Sequence, residues 1–276
     1  MSGLSGRTMI MSGGSRGIGL AIAVRAAKDG ANVALLAKTD QPHPKLEGTV
    51  HTAAAEIEKA GGKALPIVGD VRDDESVAEA VRRTVEAFGG IDIVVNNASA
   101  IDLTPAEHIG MKKYDLMQDI NARGTFLLSK TCIPALRESA AAGRNPHILT
   151  LSPPLNLNPR WAGAHLAYTM AKYGMSLTTL GLAEELRADG VHVNSLWPRT
   201  LIATAAVQNL LGGDAAMAHA RTPEILADAA YAVLTGTTTG GFLIDDEVLA
   251  AAGVTDLSPY RLAPTEADLA QDIFLD

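Results

Sequence analysis

Between Thr8 and Leu20 the chain runs from a short apolar stretch into a glycine-rich turn and then into a segment rich in Ala, Ile and Val. The glycines let the backbone turn sharply and approach a ligand closely. The helix that follows offers free N–H groups and the positive end of its dipole to a phosphate. Gly13, Gly17 and Gly19 give the spacing Gly-x-x-x-Gly-x-Gly. This is neither the common Gly-x-Gly-x-x-Gly fingerprint nor a P-loop, because no Gly-Lys-Ser/Thr follows. Taken alone, the turn also fits a tight bend with no ligand.

The strand-then-helix order repeats along the chain. Apolar strands fit Thr8–Ser12, Asn32–Ala37, Ala64–Val68, Ile91–Asn96, His147–Leu151, His192–Leu196 and Phe242–Ile244. Helices fit Gly17–Asp29, Thr49–Ala60, Asp74–Phe88, Lys113–Ser139, Ala164–Arg187 and Thr222–Leu234. Such alternation predicts an α/β protein with a doubly wound, seven-stranded parallel sheet and helices on both faces. The ligand crevice of such a sheet lies at the carboxyl ends of its strands, at the topological switch point. The glycine turn, Asp70, Asn96 to Ala98, Ser152 and Pro198 all fall just after strands and are expected to converge there.

At 276 residues, one domain spanning 1–276 is expected, with 245–276 as a tail and the stretch from Thr39 to Gly48 as a loop. Hydrophobic residues make up 47%, yet no uninterrupted apolar run could span a bilayer. The beginning of the chain lacks a basic-then-apolar signal, and its end lacks Ser-Lys-Leu. A single Cys, Cys132, rules out an internal disulfide and reads as a buried thiol in a reducing compartment. The formal charge of −8 argues against non-specific nucleic-acid binding. Seven scattered His form no ligand-spaced pair, so no metal is expected. Together these features predict a cytoplasmic protein without membrane or nucleic-acid partners.

Further along, Tyr168 stands four residues before Lys172 in a segment that reads as a helix. Positions i and i+4 share a helix face, so a phenol lies beside an ammonium. A phenol near about 10 is a poor acid or base at neutral pH, and a nearby cation favours its phenolate. Bringing it to about 7 takes roughly 4 kcal/mol of differential interaction. Two solvated surface residues can also stand at this spacing.

The glycine turn and the Tyr–Lys pair together resemble the short-chain dehydrogenase/reductase family, from about Ser5 to Ile244. Its other landmarks follow in order: Asp70-Val71 after the third strand, Asn96-Asn97-Ala98 after the fourth, Asn121 in a long helix, and Leu151-Ser152 at the end of the fifth strand. Within the family, the likeness extends to a branch with Ala37-Lys38-Thr39 before Gln41-Pro42-His43-Pro44, Ser152-Pro153-Pro154-Leu155-Asn156-Leu157-Asn158-Pro159, and Trp197-Pro198-Arg199-Thr200. Long members of that branch carry a sterol-carrier-like domain after the dehydrogenase, and this chain is expected to correspond to the dehydrogenase part alone.

The resemblance implies a Rossmann-type fold and a nicotinamide cofactor. It places Gly13, Ser15, Arg16, Gly17, Ile18 and Gly19 at the phosphates. Asp70, Val71, Asn97, Ala98, Pro198 and Ile202 lie along the dinucleotide, with Tyr168 and Lys172 at the nicotinamide end. Ala37 stands where an NAD enzyme has its ribose-binding acid, and Lys38 follows it. With Arg16, Lys38 favours the 2′-phosphate of NADP, although such cations also face water in many proteins.

The implied catalytic residues are Tyr168 as proton donor and acceptor, Lys172 on the nicotinamide ribose, Asn121 positioning a relay water, and Ser152 polarising a carbonyl. The family has two adjacent Ser where this chain has Ser152-Pro153, and Pro cannot donate a hydrogen bond. Ser152 therefore either takes the role or only bonds local backbone. Ser99 replaces a family Gly. Arg199 replaces another, and either touches an anionic substrate group or lies at the surface.

Leu155, Leu157, Trp161, Trp197 and the segment from Ile202 to Ala220 are expected to line or cover an apolar pocket, pointing to a hydrophobic carbonyl or alcohol substrate. Two competing readings are a non-catalytic NADP-sensing or scaffold protein and an enoyl reductase. A homodimer or homotetramer through the two long helices is expected, unless the tail covers their second apolar face.

Overall fold

The computed structural model describes residues 3–42, 48–210 and 212–276. Seven parallel strands run in the order β3-β2-β1-β4-β5-β6-β7. They are β1 (Thr8–Ser12), β2 (Asn32–Ala37), β3 (Lys63–Val68), β4 (Ile93–Asn96), β5 (His147–Thr150), β6 (His192–Trp197) and β7 (Phe242–Ile244). The order reverses between β1 and β4, which pair in register from Met9↔Ile93 to Ser12↔Asn96.

Period-two alternation sends successive side chains of β1 into different layers. Met9 and Met11 pack with α1 (Gly17–Ala27), α2 (Val50–Lys59), α10 (Glu224–Thr235) and α11 (Asp245–Ala251). Ile10 packs with α3 (Asp74–Phe88), α5 (Gly124–Ala141) and α7 (Leu166–Glu185). Both strand faces are buried, so β1 reads as a continuous apolar run. Cys132 is fully buried on α5, and burial pushes its thiol well above the ordinary range.

The long helix expected at Lys113–Ser139 is interrupted. It consists of α4 (Met111–Met117), a π-helical turn (Gln118–Arg123) and α5. The wide turn coincides with Asn121, whose side chain is tied to the backbone of Ala100 rather than facing solvent. Insertions of this kind are often found at functional sites. Among the described residues, four short helices have no counterpart in the expected set: α6 (Pro159–Ala164), α8 (Ala205–Leu210), α9 (Gly213–Met217) and α11. Among the described residues, no helix is long and apolar enough to cross a membrane.

The tail beyond β7 is structured. It forms α11 and two single turns, then runs antiparallel beside the segment after β6, with Thr200 bridged to Gln271. It does not cover the outer face of α7, where Leu177 and Leu180 remain 57% and 50% exposed.

Candidate active site

A cleft of about 1030 Å³ opens along the carboxyl ends of the strands. One end is built around the glycine turn. Gly13 has φ +73°, and a Cβ there would lie 2.7 Å from the Cα of Ala98. Only glycine lets the turn after β1 seat directly on the chain leaving β4. Asn97 fastens the two, its Nδ2 donating to Gly13 O at 2.7 Å, while the Ala98 N–H donates to Ser12 Oγ at 3.2 Å. Gly13, Ser15, Arg16, Gly17 and Ile18 line this end, as do Asn97 and Ala98. Gly19 does not; it sits behind the turn, where a Cβ would come within 2.5 Å of Asn97 Nδ2.

Lys38, Asp70 and Val71 line the far edge. The Asp70 carboxylate is held by Arg72, with Nη2 at 2.6 Å, and by Lys38 Nζ at 3.1 Å. Hydrogen bonds from Arg72 foremost hold it well below the usual carboxylate range. Arg16 is partly buried and donates to Gly48 O at 2.8 Å. Lys38 and Arg72 thus hold the one carboxylate between them. His43 and Pro44, part of the expected branch signature, lie outside the described residues.

Tyr168, Lys172, Pro198 and Ile202 line the opposite end, with Ser99 and Trp197. Tyr168 and Lys172 are both buried on α7. Lys172 Nζ donates to Leu151 O at 2.8 Å, touches Met175 Sδ at 3.6 Å, and lies 5.0 Å from the centre of the Trp197 ring. Burial pushes its ammonium down to about 7, opposed by Asp272. Burial also holds the Tyr168 phenol well above its ordinary value; Asp272 adds to the effect, and Ser99 beside the hydroxyl opposes it. Burial thus moves Tyr168 opposite to the lowering expected from Lys172.

Two expected catalytic side chains do not reach the cleft. Ser152 is fully buried and its Oγ lies 2.8 Å from Ser195 Oγ, which donates on to Thr179 at 2.8 Å. This hydroxyl chain ties the end of β5 to β6 and α7, so Ser152 takes the local structural place. Asn121 is also fully buried. Its Oδ1 accepts from Ala100 N at 2.7 Å and its Nδ2 donates to Ala100 O at 2.9 Å. Asn121 thereby fixes the loop that carries Ser99 into the cleft.

The apolar wall also differs from expectation. Trp197, Leu201, Ile202 and Val207 line it, but Leu155, Leu157 and Trp161 do not; Leu157 is 84% exposed. Ala100, Ile101 and Leu103 from the loop after β4 take their place, together with Asp272 and Ile273 from the tail. Arg199 is turned away from the cleft. It pairs with Asp246 at 2.6 Å and with Glu247, both in the first turn of α11.

Phe274 is the keystone of the tail. It is fully buried, with ring centres 6.1 Å from Tyr168, 5.4 Å from Tyr173, 6.0 Å from Trp197 and 6.1 Å from Trp161. Its φ of +73° is a left-handed conformation that costs a non-glycine residue about 1–2 kcal/mol. Trp197 Nε1 donates to Ile273 O at 3.1 Å, Arg160 Nη2 to Leu275 O at 3.2 Å, and Asn156 Nδ2 to Phe274 O at 3.2 Å. Nothing local in the sequence showed that Phe274 would join these four rings.

This arrangement is that of the short chain dehydrogenases. The chain matches that family over residues 7–213 and belongs to it. It is 55% identical to hydroxysteroid dehydrogenase-like protein 2 of Xenopus laevis over 275 residues, which cover 99% of this chain and 64% of that protein. The chain thus spans about 64% of the length of that curated relative. A crystal structure of a Xanthomonas campestris protein is 56% identical, with a TM-score of 0.94 over 99% of both chains. That of a short chain dehydrogenase from Mycobacterium thermoresistibile is 59% identical, with a TM-score of 0.92 over 99% of this chain and 96% of the other.

Proposed function

We propose that this chain is an NADP(H)-dependent oxidoreductase that interconverts a carbonyl and an alcohol on a hydrophobic small molecule. The observation that carries the reading is one cleft holding Tyr168 and Lys172 at one end and the glycine turn with Arg16 and Lys38 at the other. The residues fit a nicotinamide dinucleotide: a turn that only glycine permits, two basic residues at the far edge, and an ammonium at the reacting end. Among the described residues, Arg16 and Lys38 line that edge, which suits a 2′-phosphate better than a bare ribose.

When bound, the nicotinamide would supply or accept the hydride. Tyr168 would give its hydroxyl proton to the substrate oxygen in reduction and take one back in oxidation. Lys172 would turn its ammonium to the cofactor ribose and favour the phenolate by its charge. Ser99, beside the Tyr168 hydroxyl, would offer the substrate oxygen the hydrogen bond that Ser152 is not placed to give. Ile101, Leu103, Trp197 and Val207 would receive an apolar substrate body.

The exposed apolar residues Leu166, Met170, Leu177 and Leu180 on α7, with Phe126 on α5, would pair with a second copy of the chain. A cytoplasmic setting suits the free buried Cys132.

Nucleotide binding and a screen of NADPH oxidation across carbonyl and enoyl substrates test the reading together. NADPH binding tighter than NADH, with turnover of an apolar aldehyde or ketone, supports it. Equal or tighter NADH binding removes the cofactor assignment. Turnover of enoyl compounds alone, or of nothing, replaces it with the enoyl-reductase or the sensing reading.

A further inference from the structure

We propose that Asp272 is the charge partner of Lys172, a positioning carboxylate that the last residues of the chain carry into the reacting end of the cleft. The kinetic consequence rests on the oxidoreductase reading; the pairing itself does not.

Lys172 is buried, and its hydrogen-bond contacts are neutral: a carbonyl oxygen and a thioether sulfur. A buried ammonium is costly without a counter-charge. Among the described residues, two carboxylates line the cleft, Asp70 and Asp272. Asp70 stands at the opposite end and is already held by Arg72 and Lys38. Asp272 is therefore the acid that shares the reacting end with Lys172.

Its place is fixed by contacts that also fix the catalytic pair. The Asp272 N–H donates to Arg199 O at 2.9 Å, and its Oδ1 accepts the Ile273 N–H at 2.7 Å. The next carbonyl, Ile273 O, is bonded by Trp197 Nε1 at 3.1 Å, and the face of that same indole carries Lys172. One residue further, Phe274 stacks on Tyr168. The tail thus brackets both catalytic groups while presenting one carboxylate to them.

The ionisable groups that act on Asp272 are Lys172 from α7 and Asp245 from the start of α11, and Asp272 in turn acts on Tyr168. Lys172 is the cation among them. Burial raises Asp272 to about 7 and the Lys172 charge opposes this, just as Asp272 opposes the downward push of burial on Lys172. A neutral side chain at 272 would leave that push unopposed. Lys172 would then lose its proton at lower pH, and with it the charge that favours the Tyr168 phenolate.

The pair can be titrated directly. The full chain, carrying ¹³C-labelled lysine, is followed by NMR from pH 5.5 to 10.5, with the Lys172 signal assigned by its loss in Lys172→Met. Asp272→Asn keeps an oxygen for the Ile273 N–H and removes only the charge. The Lys172 midpoint is expected to fall by about one pH unit, a tenfold change in its acid constant. An unchanged midpoint overturns the proposal. Lys172→Met with ¹³C-labelled aspartate reads the same pair from the other side and decides the matter should Asp272→Asn fail to fold. There the Asp272 midpoint rises if the two are paired, and a fixed midpoint overturns the pairing.

The kinetic arm uses whichever carbonyl compound the parent reduces. In Asp272→Asn the basic limb of kcat/KM moves to lower pH by the same amount; a limb that stays while the Lys172 midpoint moves overturns the positioning role. If the parent reduces no carbonyl compound, the oxidoreductase reading fails, while the NMR midpoints still decide the pairing.

Discussion

The glycine-turn end of the cleft is made from the ends of β1, β2, β3 and β4, each contributing residues within a few positions of its last strand residue. The end that holds Tyr168 and Lys172 is closed by the loop after β4, the segment after β6, and residues 272 and 273. The first end follows from local sequence once the sheet exists. The second depends on contacts across long separations: Trp197 to Ile273 and Asn156 to Phe274. The second end can therefore be reshaped by changing a distant segment while the first is left alone.

The largest expected effect lies where the two ends meet. Tyr168→Phe keeps the ring that stacks on Phe274 and removes only the hydroxyl. It is expected to lower kcat at least about a hundredfold while NADPH affinity stays near that of the parent. Near-normal turnover by Tyr168→Phe would rule out its acid–base role.

Phe274→Ala separates the ends by stability. Removing a fully buried aromatic ring is expected to cost about 3–5 kcal/mol in denaturant unfolding. If the ends are as independent as their construction suggests, the variant still binds NADPH within a few-fold of the parent but loses turnover. Equal loss of both would show that the tail supports the whole cleft. Gly13→Ala is the reciprocal change. Its Cβ would meet the Ala98 backbone at φ +73°, so nucleotide affinity is expected to drop by tenfold or more.

Ser99→Ala and Ser152→Ala compare two hydroxyls, one beside Tyr168 and one behind the cleft. Ser99→Ala is expected to lower kcat about tenfold and leave melting unchanged. Ser152→Ala is expected to cost about 1 kcal/mol, through its bond to Ser195, and to leave kcat within threefold. The reverse pattern would restore Ser152 to the catalytic role.

Much of this architecture was legible because it is periodic and local. The strands Thr8–Ser12, Asn32–Ala37 and Phe242–Ile244 and the helix Asp74–Phe88 have the bounds that apolar patterning gives. The π-helical turn at Gln118–Arg123 was not legible, because it accompanies a side chain bonding backbone some 21 positions away. The direction of Ser152 was hidden for a similar reason: its partner Ser195 lies on the neighbouring strand. Asp272 precedes the apolar Ile273-Phe274-Leu275, but nothing in that run shows which surface it would cover. Its role emerges only once Phe274 is seen enclosed by four aromatic rings drawn from three segments.

The smallest expected effect is a deliberate absence of change. Asp70 is held below the ordinary carboxylate range by hydrogen bonds from Arg72, so its charge is constant at neutral and alkaline pH. Lys172 at the other end is pushed down to about 7 by burial, so in the free protein its ammonium is lost as pH rises through that value. Affinity for adenosine 2′,5′-bisphosphate, which reaches only the first end, is therefore expected to change less than about twofold between pH 7.5 and 9.5. Whole NADP⁺, which would also contact Lys172, is expected to bind several-fold more weakly across the same range, because the contacting charge must first be restored. Isothermal titration of both ligands provides the measurement. Parallel curves would mean that Lys172 does not touch the cofactor in its charged form, and the contrast between a fixed-charge end and a titrating end would no longer hold.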